Sequence, residues 1–173
     1  SSVTPSSVAP SGVSSSTGTP SASPSDGPTP SDLGDPFTTL SGFVDDKSVA
    51  LEVFPVKRSG ELAVLQLRMT VDPAAKDRAQ IAQTFDDGNF KTGAEGLDSM
   101  DGVELVDGAR GKVYLAATDT GRRCLCSQNL GATIVEPGQS VSLDVTFAAP
   151  PAAASSVDVR IPAFGTVSSV PVQ

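Results

Sequence analysis

The chain has no histidine and no tryptophan, one tyrosine, and only two cysteines in 173 residues. Without histidine there is no Ser-His or Cys-His dyad, and no G-x-S-x-G elbow occurs, so the usual serine and cysteine hydrolases are excluded. Aromatic residues make up 5% of the chain, too few for the stacking platforms that hold sugars or bases. Any two of the 20 Asp and Glu could be drawn as a glycosidase pair, so no particular pair points to that chemistry. Basic residues are also scarce. The 12 Lys and Arg are scattered, the formal net charge is −8, and a nucleic acid or an anionic membrane needs clustered cations. That charge permits a divalent cation or a cationic partner without indicating one. No apolar run approaches the roughly 18 residues of a membrane span, and there is no signal-peptide core. These absences describe a non-enzymatic protein with no implied cofactor and no direct transmembrane span.

What is present is unevenly distributed. Residues 1–41, beginning "SSVTPSSVAPSGVSSSTGTP", are dominated by Ser, Thr, Pro, Gly and Ala. They hold no apolar run able to offset the entropy of ordering a backbone, so they are expected to form a disordered tether. Such a tether reaches roughly 35 Å, and more where proline stiffens it. A chain that starts this way reads as a processed product, with attachment through a lipidated cysteine N-terminal to Ser1. The domain is expected over 42–173, long enough for one core and too short for two.

Within it the pattern is that of short strands between turns. "SVALEVFPVKR" alternates Val49, Leu51 and Val53 on one face until Pro55, which cannot donate to a ladder and marks an edge or a bulge. Gly60 turns the chain into "LAVLQLRMTV", completing a first hairpin. Asp72 and Pro73 suit an N-cap and first helical position, so a short helical turn or a loop follows. The Gly- and Asp-rich stretch 86–102 connects the halves over the surface. "VELVD" and "KVYLAAT" form a hairpin about Gly108–Gly111, Asp119–Gly121 turns the chain again, and Pro137-Gly138 occupies the centre of a type II turn. "SVSLDVTFAAP" is the cleanest amphipathic strand, with Val141, Leu143, Val145 and Phe147 on one face. "SSVDVRIPAFG" and "TVSSVPVQ" close the chain, with Val157, Val159 and Ile161 inward. With roughly seven to nine strands and no long helices, the fold class is all-β, a two-sheet antiparallel sandwich with a barrel as the alternative.

The two cysteines, Cys124 and Cys126, flank a single leucine. Residues two apart in a regular strand stand about 6.6 Å apart, near the upper limit for a disulfide, so bridging them needs a bend at Leu125. A disulfide suits an exported protein, where it would act as a local clip. Two buried thiols, a redox pair and a metal site are the other readings. Redox chemistry would favour C-x-x-C at a helix N-terminus, although Arg122 and Arg123 could stabilise a thiolate. Zinc would need carboxylates to complete its shell. The loops "DDGN" (86–89) and "DSMDG" (98–102) lack the ligand spacing of an EF-hand and read as turn formers.

Tyr114-Leu115, the C-L-C-S run Cys124–Ser127, Pro137-Gly138, Phe147–Pro151, and Pro162, Phe164, Gly165 with Val170–Val172 together carry a resemblance. Over about residues 48–173 the chain resembles the immunoglobulin-like domain of actinobacterial exported lipoproteins, some of which carry it ahead of an OmpA-type peptidoglycan-binding domain. The resemblance implies an immunoglobulin-like sandwich and an exported, envelope or extracellular location, and it supplies no catalytic residues to carry over. The 173 residues contain no OmpA-type segment, so peptidoglycan binding is not implied for them. The expected role is a binding or spacer module of the cell envelope or cell surface, with a protein or envelope component as partner. The alternative is a thiol-redox or metal-binding envelope module acting through Cys124 and Cys126.

Overall fold

A computed structural model describes residues 33–86 and 98–173. The disorder expected of residues 1–32, and the loop positions 87–97 within the expected surface connection, lie outside the described residues. The fold is all-β, with eleven strands among the described residues. The first group is β1 (Thr38–Val44), β2 (Lys47–Val53), β3 (Lys57–Ser59), β4 (Leu62–Val71) and β5 (Ala79–Gln80). After it come β6 (Glu104–Asp107), β7 (Lys112–Tyr114), β8 (Ile134–Val135), β9 (Ser140–Ala148), β10 (Ser156–Ile161) and β11 (Gly165–Pro171).

β4 organises the larger sheet. Alternate residues Ala63, Leu65, Leu67, Met69 and Val71 are fully buried, the period-2 burial that a strand with one face on a core must show. One edge of β4 pairs with β9 over nine residue pairs, while the other is shared, β2 taking Leu67–Val71 and β3 taking Leu62–Val64. Between β2 and β3 the chain bulges at Phe54-Pro55, where proline has no amide proton to give. Past the bulge the fully buried Val56 forms a parallel bridge with Val172: its N–H donates to the Pro171 carbonyl at 2.9 Å, and its carbonyl accepts from the Gln173 N–H at 2.8 Å. The expected interruption at Pro55 is therefore also where the larger sheet reaches the chain end.

The smaller sheet runs β11-β10-β6-β7, all antiparallel. Its Leu105, Val157, Val159 and Ile161 join Leu51, Leu65, Val145 and Phe147 of the larger sheet in one hydrophobic cluster. Burying each such side chain is worth roughly 1.5–3 kcal/mol. The expected turns are in place. Gly60 has φ of 63° and Gly138 has φ of 75°, with the Gln139 N–H donating to the Glu136 carbonyl at 2.9 Å as a type II turn requires.

One boundary needs adjustment. The domain is expected over 42–173, with order beginning near Phe37; β1 starts at Thr38 and pairs with β2 along all seven of its residues. Its Thr-Thr-Leu-Ser-Gly composition reads as tether, and only the regular edge of β2 reveals it as a strand. Asp72 does cap a turn, accepting from the Ala74 N–H at 2.8 Å through Oδ1 and from the Ala75 N–H at 2.9 Å through its carbonyl. As expected of a short helical turn or a loop, no long helix follows: Ala79 and Ile81 are fully buried and the intervening backbone pairs with β8. A 3-10 turn at Ala82–Phe85 follows instead. It delivers Phe85 to stack on Phe164 with ring centroids 5.8 Å apart. Phe164 lies beneath Gly42, where an added Cβ would sit 2.6 Å from its ring.

Two polar contacts hold this frame. Arg58 on β3 spans to the loop after β9, its Nη2 donating to the carbonyls of Pro151 and Ala154 at 2.7 Å and its Nε to that of Pro150 at 3.2 Å. A guanidinium suits this place, since the Pro-Pro-Ala run has carbonyls to satisfy and few N–H groups to trade. Arg58→Ala is expected to cost about 2 kcal/mol in chemical denaturation, and Arg58→Lys is expected to recover less than half, because one ammonium cannot span the same acceptors. On the outer face Arg68 forks onto Glu52 of β2, with Nη2 to Oε1 at 2.9 Å, and covers the buried Phe54 ring at 5.5 Å. The hydrogen bond from Arg68 holds the Glu52 carboxyl below its ordinary range. A carboxyl with a depressed folded value contributes stability that is complete above the unfolded value and lost as pH falls through the folded one. Stability is therefore expected to drop below about pH 4.3, and Glu52→Gln should flatten that part of the profile, as read by denaturation midpoints across pH.

Candidate functional site

β9 has β4 on one side only, so its other edge needs a cover. The chain between β7 and β8 supplies it. After β7 the backbone runs along β9 at Ala116 and Ala117, turns at 119–122, and returns through Cys124–Ser127. The turn is built by Asp119. Its N–H donates to the Arg123 carbonyl at 2.9 Å, its carbonyl accepts from Arg122, and Arg122, rather than Gly121, takes the left-handed φ of 60°. The Arg123 N–H donates to Asp119 Oδ1 at 2.9 Å and its Nε to Oδ2 at 3.1 Å. The backbone bond first, then the guanidinium, holds the Asp119 carboxyl below its ordinary range.

Cys124 and Cys126 are joined as a disulfide, with their Cα atoms 5.2 Å apart. That spacing is shorter than a regular strand allows, and the backbone bends at Leu125 as the spacing rule requires. The bend places Leu125 between two partners: its N–H donates to the Ala117 carbonyl at 2.7 Å, and its carbonyl accepts from the Thr146 N–H of β9 at 2.9 Å. Ala117 completes the set, its N–H donating to the Thr146 carbonyl at 2.8 Å. Two residues beyond Leu125, the Ser127 N–H reaches the Asp144 carbonyl at 2.9 Å while the two side chains pair, Ser127 Oγ lying 2.8 Å from Asp144 Oδ1. The Cys124 carbonyl accepts from Gln128 Nε2 at 2.5 Å. The cysteines thus fix the shape of a strip that satisfies the open edge of β9.

Cys124 is buried and Cys126 partly exposed. Next to the strip, Tyr114 is 4% exposed with the Lys112 ammonium 4.7 Å from its ring centre. Its hydroxyl is the one buried side-chain polar atom without a hydrogen-bond partner among the described residues. The acidic loops are structural where they are described. Asp101 is buried and accepts from Ser99 Oγ at 3.0 Å, and the Asp98 carbonyl accepts from the Leu130 N–H at 3.0 Å. Of "DDGN", positions 87–89 lie outside the described residues. No group of three or more His, Cys, Asp or Glu is placed to hold a metal ion among the described residues. No helix there is long and apolar enough to cross a membrane. A shallow cleft of about 360 Å³ beside the β1–β2 turn is lined by Asp46, Lys47, Asp72, Lys76 and Asp77, with Ala74 and Ala75 between them.

Comparison of the chain with protein-family models, with curated proteins and with solved structures finds no match. The site is therefore read from its own geometry. The sequence pattern marks the two cysteines and the turn before them, but not the hydrogen bonds that join Ala117, Leu125 and Ser127 to β9, whose partners lie 17 or more positions away. A local pattern carries no signal for them. A disulfide closing so small a loop removes little unfolded-state entropy, so Cys124→Ser/Cys126→Ser is expected to lower the unfolding free energy by about 1–2 kcal/mol. Paired urea titrations of the oxidised protein and this variant measure it.

Proposed function

We propose that this protein is a non-enzymatic binding or spacing module of the cell envelope or cell surface, held on its Ser/Thr/Pro-rich N-terminal segment as part of an exported lipoprotein. The observation that carries the reading is the Cys124–Cys126 disulfide. Such a bond persists in oxidising compartments and is rare in a reducing cytosol. Here it serves the backbone: it shapes the cover of a sheet edge and sits among turn-forming and strand-pairing contacts.

The finer fold is an immunoglobulin-like sandwich. Its support is the order of pairing, β2-β4-β9 followed by the strip 116–127 in one layer and β11-β10-β6 in the other. This matches the A-B-E-D and G-F-C order of that class. It departs from antibody domains in having no core tryptophan and no disulfide between the sheets. A sandwich of this kind presents loops at both ends and a flat outer face, which suits binding or spacing.

The second reading, thiol-redox or metal chemistry at the same pair, has the partial exposure of Cys126 in its favour. One experiment separates the two. The protein is expressed from its natural reading frame in its own host, cells are fractionated, and free thiols are alkylated before intact-mass measurement without and then with reductant. The envelope reading expects the protein in the envelope or extracellular fraction, unalkylated and metal-free, taking up two alkyl groups only after reduction. A cytosolic protein with two free thiols, a bound metal, or a mixed redox population that shifts with added oxidant contradicts it.

A further inference from the structure

We propose that the open edge of β1 is a surface through which two copies of this chain associate, β1 against β1, antiparallel about a two-fold axis at Ser41. The other edges of the two larger sheets are each protected. The strip 116–127 covers β9, and β3 is flanked by the chain end through the Val56–Val172 bridge. β7 is three residues long and carries Lys112. β11 is broken by a register shift opposite β10, with Ser169 at φ of 59°. These are the devices by which proteins keep sheet edges from pairing with other chains: covering, shortening, charging and bulging.

β1 has none of them among the described residues. It pairs with β2 without a bulge over seven residues, and its sequence Thr-Thr-Leu-Ser-Gly-Phe-Val holds no proline and no charge. Every second residue of an antiparallel strand turns its N–H and carbonyl away from its neighbour, so the outer edge offers a regular row of donors and acceptors.

The occupant that fits this row is a second β1. A two-fold axis at Ser41 places Ser41 opposite itself, Leu40 opposite Gly42, and Thr39 opposite Phe43. On the inner face the half-buried Leu40 comes opposite Gly42, whose free side is filled by the apolar Phe164 ring. On the outer face Phe43, 71% exposed, gains the β-branched Thr39 as its cross-strand neighbour, a favourable aromatic pairing. Charge points the same way. In a chain of net charge −8, two copies repel wherever acidic surfaces meet, whereas the ladder of β1 brings no carboxylate opposite another. One strand pair buries less than the roughly 1,200 Å² of a stable interface, so the dimer is weak and concentration-dependent.

Sedimentation of the 173-residue chain from about 10 μM to about 1 mM tests this. A monomer at low and a dimer at high concentration is expected. Ser41→Lys places two ammonium groups side by side on the exposed face and should weaken the dimer at least about threefold. Ser41→Asp should do the same with two carboxylates. An equimolar mixture of the two variants should dimerise at least as well as the parent, since opposite charges then meet across the axis. A monomer throughout the range overturns the proposal, as does a dimer that neither variant weakens. Failure of the mixture to recover overturns the register.

Discussion

Every strand edge in this domain has to be paired, covered or left open, and most of the chain's unusual features follow from that constraint. β4 meets it by accepting partners on both sides, and its fully buried row, Leu65 to Val71, anchors the core from there. β3 meets it through the Pro55 bulge, which frees Val56 to bond the chain terminus. β9 pairs with a full strand, β4, on one side only. A folded-back strip closed by a disulfide covers the other. Backbone N–H and carbonyl groups left without partners away from water cost free energy, so the strip is as much a part of the sheet as the strands are.

Seen this way, the cysteine pair belongs with the turn at Asp119 and the Ser127–Asp144 contact. All three act on one short piece of backbone and hold it to β9. The disulfide contributes by contracting the chain at Leu125 so that this residue can face both Ala117 and Thr146. The oxidising compartment that such a bond implies, the Ser/Thr/Pro-rich start of the chain and the missing histidine support one proposal, an exported module whose work is done by its surface.

The sequence made the regular parts legible. Strict alternation in β9, the Pro137-Gly138 turn and the hairpin from β6 to β7 are local patterns, and local patterns survive without knowledge of the fold. β1 carries a weaker signal, because an edge strand that mixes Thr, Ser and Gly with Leu40, Phe43 and Val44, half-buried at most on its inner face apart from Val44, has little hydrophobic alternation. The Asp72 cap was legible, but its outcome was not: whether Ala79 and Ile81 continue a helix depends on β8, over fifty residues away. Arg58 reading the Pro150–Ala154 carbonyls spans more than ninety positions, and no composition rule marks one arginine among twelve cations for that task. For the candidate site, spacing leaves a disulfide as one of several readings of Cys124 and Cys126, and its purpose is not legible, because the purpose lies in the strand it covers.

Amide hydrogen exchange on the oxidised protein and on Cys124→Ser/Cys126→Ser, resolved by residue, tests the edge-cover account most directly. The account predicts faster exchange in the variant at Ala117, Ser127 and Thr146, whose N–H groups bridge the strip and β9. The N–H groups that join β4 to β2 should keep their protection relative to global unfolding. Unchanged exchange at Thr146 after loss of the disulfide would contradict it, since the strip would then hold to β9 without the clip.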